Sequence, residues 1–148
     1  VGLILDTSIL IESERRGEGV EDILRRSRDL HGEIDVALSS VSAVELTHGI
    51  YRARTDADRV RRRVFVEGVF HDLITHPPTL EIAQLAGRIE GEQAAKGISI
   101  AVQDLIIGAT ALHLGFDVVT LNAQTFRGHP WPQCRRPLRE PSFSADAF

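Results

Sequence analysis

The sequence predicts a single α/β domain, with a central, mostly parallel sheet of four to five strands flanked by helices. Three observations carry this expectation. Short apolar runs alternate with longer amphipathic stretches along the chain, the pattern of strands joined by helical crossovers. The segments between those runs are too long for hairpin turns, which favours parallel neighbours. The length of 148 residues suits one domain, large enough to bury about two-thirds of the surface of its unfolded chain.

The elements follow in order. Residues 1–5 form a short apolar run that ends at Asp6 and reads as a buried strand. Asp6-Thr7-Ser8 then opens a helix through Ile9, Leu10 and Ile11. A second amphipathic helix is expected over residues 20–30 and a second strand over 35–39. A third helix is expected to begin near Ser42 and reach Arg54, and a fourth to cover 56–70 with Val60, Val64, Val69 and Phe70 as apolar positions. A short strand at 73–75 ends before Pro77-Pro78. The helix from Leu80 to Lys96 is stopped by Gly97. Residues 100–114 are apolar on most sides, which places that helix centrally, and Gly115 ends it. Residues 118–121 make a last buried strand. The domain is expected to span residues 1–136, with 137–148 a loosely ordered polar tail.

Composition narrows the class. Hydrophobic residues make up 43% and charged residues 26%, a soluble globular balance. Cys134 stands alone, which excludes an internal disulfide and fits a reducing cytoplasm. The chain opens without a basic segment or cleavage site, so no signal peptide is expected, and no apolar run reaches the length of a membrane span. The net charge of −4 argues mildly against binding nucleic acid by bulk charge. Arginines nevertheless cluster, notably at Arg15/Arg16, Arg25/Arg26/Arg28, Arg52/Arg54 and Arg59/Arg61/Arg62/Arg63. Any one of these clusters is most simply a solvated helix face.

Three carboxylates stand out by position. In open parallel sheets ligands gather at the carboxyl ends of the strands. Asp6 directly follows the first strand, Glu45 follows the second after a short stretch, and Asp104 opens the central helix. Acids that converge without basic partners repel one another, and a hard divalent cation such as Mg²⁺ or Mn²⁺ relieves that repulsion. Each acid also has a purely structural reading. Asp6 suits a helix N-cap, Glu45 lies at capping-box spacing from Ser42, and Asp104 in a first turn complements the helix dipole. Spacing alone leaves both readings standing.

Several chemistries are missing as motifs. The first strand–helix turn has no Gly-x-Gly-x-x-Gly, and neither a P-loop nor a Gly-x-Ser-x-Gly elbow occurs. The six histidines form no His-Glu-x-x-His pattern, and with one cysteine a zinc site is not expected. Asp6-Thr7-Ser8 also lacks the second Asp of aspartyl-phosphate phosphohydrolases.

Four segments, in order, resemble the motifs of the PIN-domain family, and specifically of VapC-type toxins from bacterial toxin–antitoxin pairs. They are Leu3-Ile4-Leu5-Asp6-Thr7-Ser8-Ile9-Leu10, Ser39-Ser40-Val41-Ser42-Ala43-Val44-Glu45-Leu46, Gly97-Ile98 through Asp104-Leu105-Ile106-Ile107-Gly108-Ala109-Thr110-Ala111, and Val118-Val119-Thr120-Leu121-Asn122-Ala123-Gln124-Thr125-Phe126. The resemblance runs from about Gly2 to about Arg136 and implies a PIN-like fold with metal-dependent endoribonuclease activity. It implies that Asp6, Glu45 and Asp104 hold Mg²⁺ or Mn²⁺, with Asn122 orienting water or phosphate and Thr7, Ser8 and Thr120 in support. Many relatives carry a fourth acid where this chain has Asn122 or Thr125, which lowers the negative charge available to a second metal. The resemblance further implies an RNA substrate cut to 5′-phosphate and 3′-hydroxyl ends, a protein antitoxin that blocks the acidic pocket, and a homodimer. Ile50/Tyr51 and the apolar residues of 64–70 are candidates for either interface, although most of them read as core. Arg15/Arg16 or Arg61–Arg63 are candidates for holding the RNA backbone. The first rival is a PIN-like module with impaired catalysis that acts by binding antitoxin or RNA. The second is another Mg²⁺-dependent phosphohydrolase, such as a phosphatase or a DNA-directed nuclease.

Overall fold

A computed structural model describes residues 2–126 and 134–135 of the chain. Among these, five strands and seven helices alternate: β1 (Gly2–Leu5), α1 (Thr7–Arg15), α2 (Val20–His31), β2 (Asp35–Ser39), α3 (Ser40–Tyr51), α4 (Asp56–Asp72), β3 (Ile74–His76), α5 (Leu80–Ala94), α6 (Val102–Leu114), β4 (Asp117–Val119), α7 (Ala123–Phe126) and β5 (Cys134–Arg135). The tail expected over residues 137–148, and residue 136 with it, lie outside the described residues.

The strands form one sheet in the order β3-β2-β1-β4-β5, and every neighbouring pair is parallel. The order positions the site. From β1 the chain builds outward through β2 to β3, then returns to the other side of β1 to lay down β4 and β5. The direction of winding therefore reverses between β1 and β4. At such a switch point the loops leave in opposite directions and open a crevice at the carboxyl ends of the strands.

Both faces of the sheet are covered, as a parallel sheet requires. Strand alternation sorts the residues: Leu3, Leu5, Leu38 and Val119 face a core shared with α1, α2, α3 and α4. Ile4, Ala37 and Val118 face the opposite core, built mainly by α5 and α6. α6 carries Leu105, Ile107, Ala109 and Ala111 into that core, which agrees with its expected central position. Its end is a left-handed C-cap at Gly115, φ 68°, a conformation that favours glycine.

Three expectations need correction. α3 begins at Ser40, earlier than Ser42, because Ser39 ends β2 and also caps the helix, its Oγ accepting from the Val41 N–H at 3.4 Å. In α4, Val60 and Val64 face outward at 60% and 66% exposure, while Val66 and Val69 are buried and Phe65 packs beside them. Apolar residues are spread around this helix, so its composition leaves the buried stripe undetermined, and packing against α2 and α3 selects it. The last strand, expected over residues 118–121, instead spans Asp117–Val119, with Asp117 in register with Leu3 and Leu121 47% exposed beyond its end. At the candidate interfaces Ile50 is core, whereas Tyr51 and Phe70 are exposed.

Candidate active site

Asp6 leaves β1 at the switch point, 7% exposed. It occupies the N-cap position of α1 but makes no side-chain capping bond. Its Oδ2 instead accepts two hydroxyl hydrogen bonds, from Ser8 Oγ at 2.7 Å and from Thr120 Oγ1 at 2.7 Å. Thr120 follows β4 and lies beside Asp6 because β1 and β4 are paired with Leu5 opposite Val119. That pairing runs on into the loop, where the Asp6 N–H donates to the Val119 carbonyl at 2.9 Å. The hydroxyls extend the network. Ser8 Oγ accepts from the Leu121 N–H at 3.1 Å, and Thr120 Oγ1 accepts from the Asn122 N–H at 2.9 Å.

Glu45 projects from the second turn of α3. The capping-box reading fails here, because Ser39 is the cap and Ser42 Oγ is buried without a hydrogen-bond partner among the described residues. The Glu45 carboxylate reaches across to α1, where Oε2 accepts from the Thr7 hydroxyl. Helix capping therefore explains the side-chain contacts of neither Asp6 nor Glu45.

Asp104 stands in the first turn of α6, where the helix dipole favours an acid. Its carboxyl is nevertheless pushed up to about 6 from an ordinary 3.8. Burial is the largest cause, followed by the negative charges of Asp6 and then Glu45. The three sequence-selected acids thus share one electrostatic neighbourhood. Among the described residues no Lys, Arg or His pairs with any of them.

The donor set is hard oxygen, which suits Mg²⁺ or Mn²⁺. Repulsion felt at Asp104 also gives a cation a favourable place to sit. The acids are not yet a closed cage: among the described residues no three His, Cys, Asp or Glu side chains are gathered at metal-holding distances. The residues fit a divalent cation by charge and chemistry, with Asp6 and Glu45 each engaged by hydroxyl partners.

Asn122 is exposed at the rim and joins the network through its backbone N–H. Two of the arginines expected as RNA contacts are engaged elsewhere. Arg16 pairs with Glu12 and Glu18, and Arg61 with Glu14 and Asp58. Sequence reading named the hydroxyls but could not assign each to its acid. Their partners lie 38 residues away for Thr7–Glu45 and 114 for Thr120–Asp6.

Comparison with known proteins agrees with this architecture. The PIN domain family model matches residues 3–129. A protein named Ribonuclease VapC from Rickettsia bellii is 30% identical over 131 residues, covering 88% of this chain and 92% of its own. Ribonuclease VapC1 from Rickettsia felis is 28% identical over 127 residues, covering 86% and 90%. The crystal structure of VapBC-5 from Mycobacterium tuberculosis, a member of the VapBC family of toxin–antitoxin systems, superposes with a TM-score of 0.69 at 25% identity, covering 92% of this chain and 99% of that one. With four motifs in order on a fully parallel sheet, and the acids of three of them sharing one electrostatic neighbourhood, the chain belongs to the PIN-domain family, in its VapC-type branch.

Proposed function

We propose that this protein is an endoribonuclease, the toxin of a toxin–antitoxin pair, hydrolysing RNA phosphodiester bonds with the help of Mg²⁺ or Mn²⁺. The observation that carries the reading is the shared electrostatic neighbourhood of Asp6, Glu45 and Asp104, without a cationic partner among the described residues, beside the switch point between β1 and β4. The relatives named as ribonucleases support RNA as the substrate. The impaired-module alternative rests on Asn122 replacing an acid, and the intact three-acid neighbourhood weighs against it.

Asp6, Glu45 and Asp104 would hold the cation. When bound, it supplies positive charge that neutralises the phosphate and makes water more acidic. The chain's own residues arrange the rest. Ser8 and Thr120 fix the Asp6 carboxylate from one side, and Thr7 fixes Glu45, so neither acid is free to rotate away. Asn122, at the open rim, orients water or a phosphate oxygen. The water oxygen forms the new bond to phosphorus, the bond from phosphorus to the 3′-oxygen breaks, and the departing oxygen takes up a proton. The products carry 5′-phosphate and 3′-hydroxyl ends.

The VapBC relative supports a protein antitoxin as partner. A homodimer would cover the exposed Val44 and Tyr51 on α3. Among the described residues no helix is long and apolar enough to cross a membrane, and the lone Cys134 suits a reducing cytoplasm as the place of action.

The test is cleavage of a mixed RNA pool by antitoxin-free protein and by Asp6→Asn, Glu45→Gln and Asp104→Asn, with thermal melts to check folding. Wild type should cut with Mg²⁺ or Mn²⁺ and stop with EDTA, while the three variants stay folded and inactive. Equal cleavage of DNA, release of phosphate from a monoester, or full activity in the variants would each overturn the reading.

A further inference from the structure

Between α1, α3 and α4 runs a groove of about 490 Å³, and Glu45 lies in its wall. Through Glu45 the acid site borders this groove. Leu46, Phe65 and Val66 form an apolar floor, and Ile11 stands exposed at the edge. Four guanidinium groups also line it: Arg15 at the end of α1, Arg52 just after α3, Arg54 in the following turn and Arg62 on α4.

The charge balance of this groove is unlike that of the rest of the chain. The protein as a whole carries −4, and the other arginine-rich helix faces are largely neutralised by local acids. Within the groove Arg62 is held in place, donating to the Gly49 carbonyl at 2.8 Å. Glu14, the other acid on its wall, is occupied by Arg61 at 3.2 Å. Arg15, Arg52 and Arg54 are exposed, and among the described residues no carboxylate pairs with them.

We propose that this groove is the RNA track leading into the acid site, with Arg15, Arg52 and Arg54 holding phosphates of the single strand beside the scissile bond. The inference rests on the ribonuclease reading above and adds to it the path of the strand. A guanidinium fork matches phosphate geometry in a way few other side chains do. An apolar floor with the Phe65 ring beside it can receive bases, since base stacking on such surfaces tolerates any sequence. The scale also fits. Arg52 caps the end of α3, seven residues after Glu45, a rise of about 10 Å, and a stacked strand advances about 3.4 Å per nucleotide. About three nucleotides would then separate the acid site from the last arginine. Phosphates would lie along the basic wall while the one to be cut meets the carboxylates and their cation.

The test measures binding of a fluorescein-labelled, mixed-sequence 12-nucleotide RNA in EDTA, where nothing is cut, over a range of salt concentrations. The combined variant Arg15→Gln, Arg52→Gln and Arg54→Gln should bind at least tenfold more weakly. The slope of log affinity against log salt should fall by about 2, since each lost single-strand phosphate contact removes about 0.7. The corresponding Lys variant should keep most of the slope, and Arg28→Gln on α2 should change neither quantity. All these side chains are exposed, so melting temperatures should match wild type. If the Gln variant binds with wild-type affinity and slope while wild type still cuts RNA, the track is wrong, the ribonuclease reading stands, and the groove is left to an acidic protein segment. If wild type neither binds nor cuts any RNA, both readings fall together.

Discussion

The Thr7 hydroxyl donates to Glu45 Oε2, tying the first turn of α1 to the second turn of α3 across the mouth of the site. Asp6 is the neighbour of Thr7 in the chain and is fixed independently by Ser8 and Thr120. Two acids from distant parts of the sequence are thus oriented by two separate sets of hydroxyls. This is the arrangement expected of carboxylates that must hold a cation in fixed geometry.

Removing that hydroxyl should impair activity more than folding. Thr7→Val keeps the shape of a side chain that is 4% exposed but releases Glu45. Loss of such an orienting partner lowers metal affinity or turnover about 10- to 100-fold. A Mg²⁺ titration of RNA cleavage should show this drop with the melting temperature nearly unchanged, and Thr7→Ser should restore most of it. A Thr7→Val protein with wild-type metal response would mean that Glu45 needs no brace.

Thr120→Val should cost both stability and activity. Thr120 is fully buried, and its oxygen both donates to Asp6 and accepts from the Asn122 N–H. Its removal takes one of two hydroxyls from the buried Asp6 carboxylate and the side-chain acceptor from the Asn122 N–H. Stranding such groups costs about 1–3 kcal/mol, which urea unfolding would register as a lower midpoint at unchanged slope. An unchanged midpoint would show that Ser8 alone suffices.

Much of this fold is legible in the chain, and its limits have physical causes. The apolar runs at residues 2–5 and 35–39 stand out because parallel strands are buried on both faces. Gly115 marks a helix end because the left-handed cap favours it. The start of α3 misleads because Ser39, Ser40 and Ser42 are all competent caps, and only the end of β2 decides among them. The site is legible as a set of acids but not as a network. The Asp6–Thr120 bond exists because β4 returns to lie beside β1, and no local pattern encodes which strand returns where. The arginine groove is likewise hidden, since Arg15 and Arg54 meet only after α1, α3 and α4 pack.

Gly2 lies where the sheet passes under Phe116. A Cβ built there would come within 2.5 Å of the Phe116 ring, which packs against the core formed by α5 and α6. Gly2→Ala should therefore force the ring to shift and cost about 1–3 kcal/mol, the usual scale of overpacking. In a double-mutant cycle with Phe116→Leu the penalty should shrink, because the clash needs both groups. Additive costs would show that the strand edge, not the ring, takes up the strain.

The raised carboxyl of Asp104 makes the metal-free protein pH-sensitive in a defined direction. Its value rises from 3.8 to about 6 on folding, through burial first and then the charges of Asp6 and Glu45. Below the unfolded value Asp104 is protonated in both states and costs nothing. As pH climbs through about 6, ionisation is harder in the folded protein than in the unfolded chain, so stability falls. The full shift corresponds to about 3 kcal/mol, and solvent screening of a half-buried group reduces this to about 1–2 kcal/mol. Asp104→Asn removes the burden but also gives up a helix-dipole contribution of about 0.3–1 kcal/mol. In EDTA at pH 7.5 the variant should melt a few degrees above wild type, and at pH 4 the gap should close. Mg²⁺ should then stabilise wild type more than the variant, because the ion binds the folded acids. The acid cluster would thereby weaken the empty protein in return for holding a cation. An equal melting gap at both pH values, or no gap at pH 7.5, would show that Asp104 feels no such repulsion and would remove the electrostatic case for a cation among these three carboxylates.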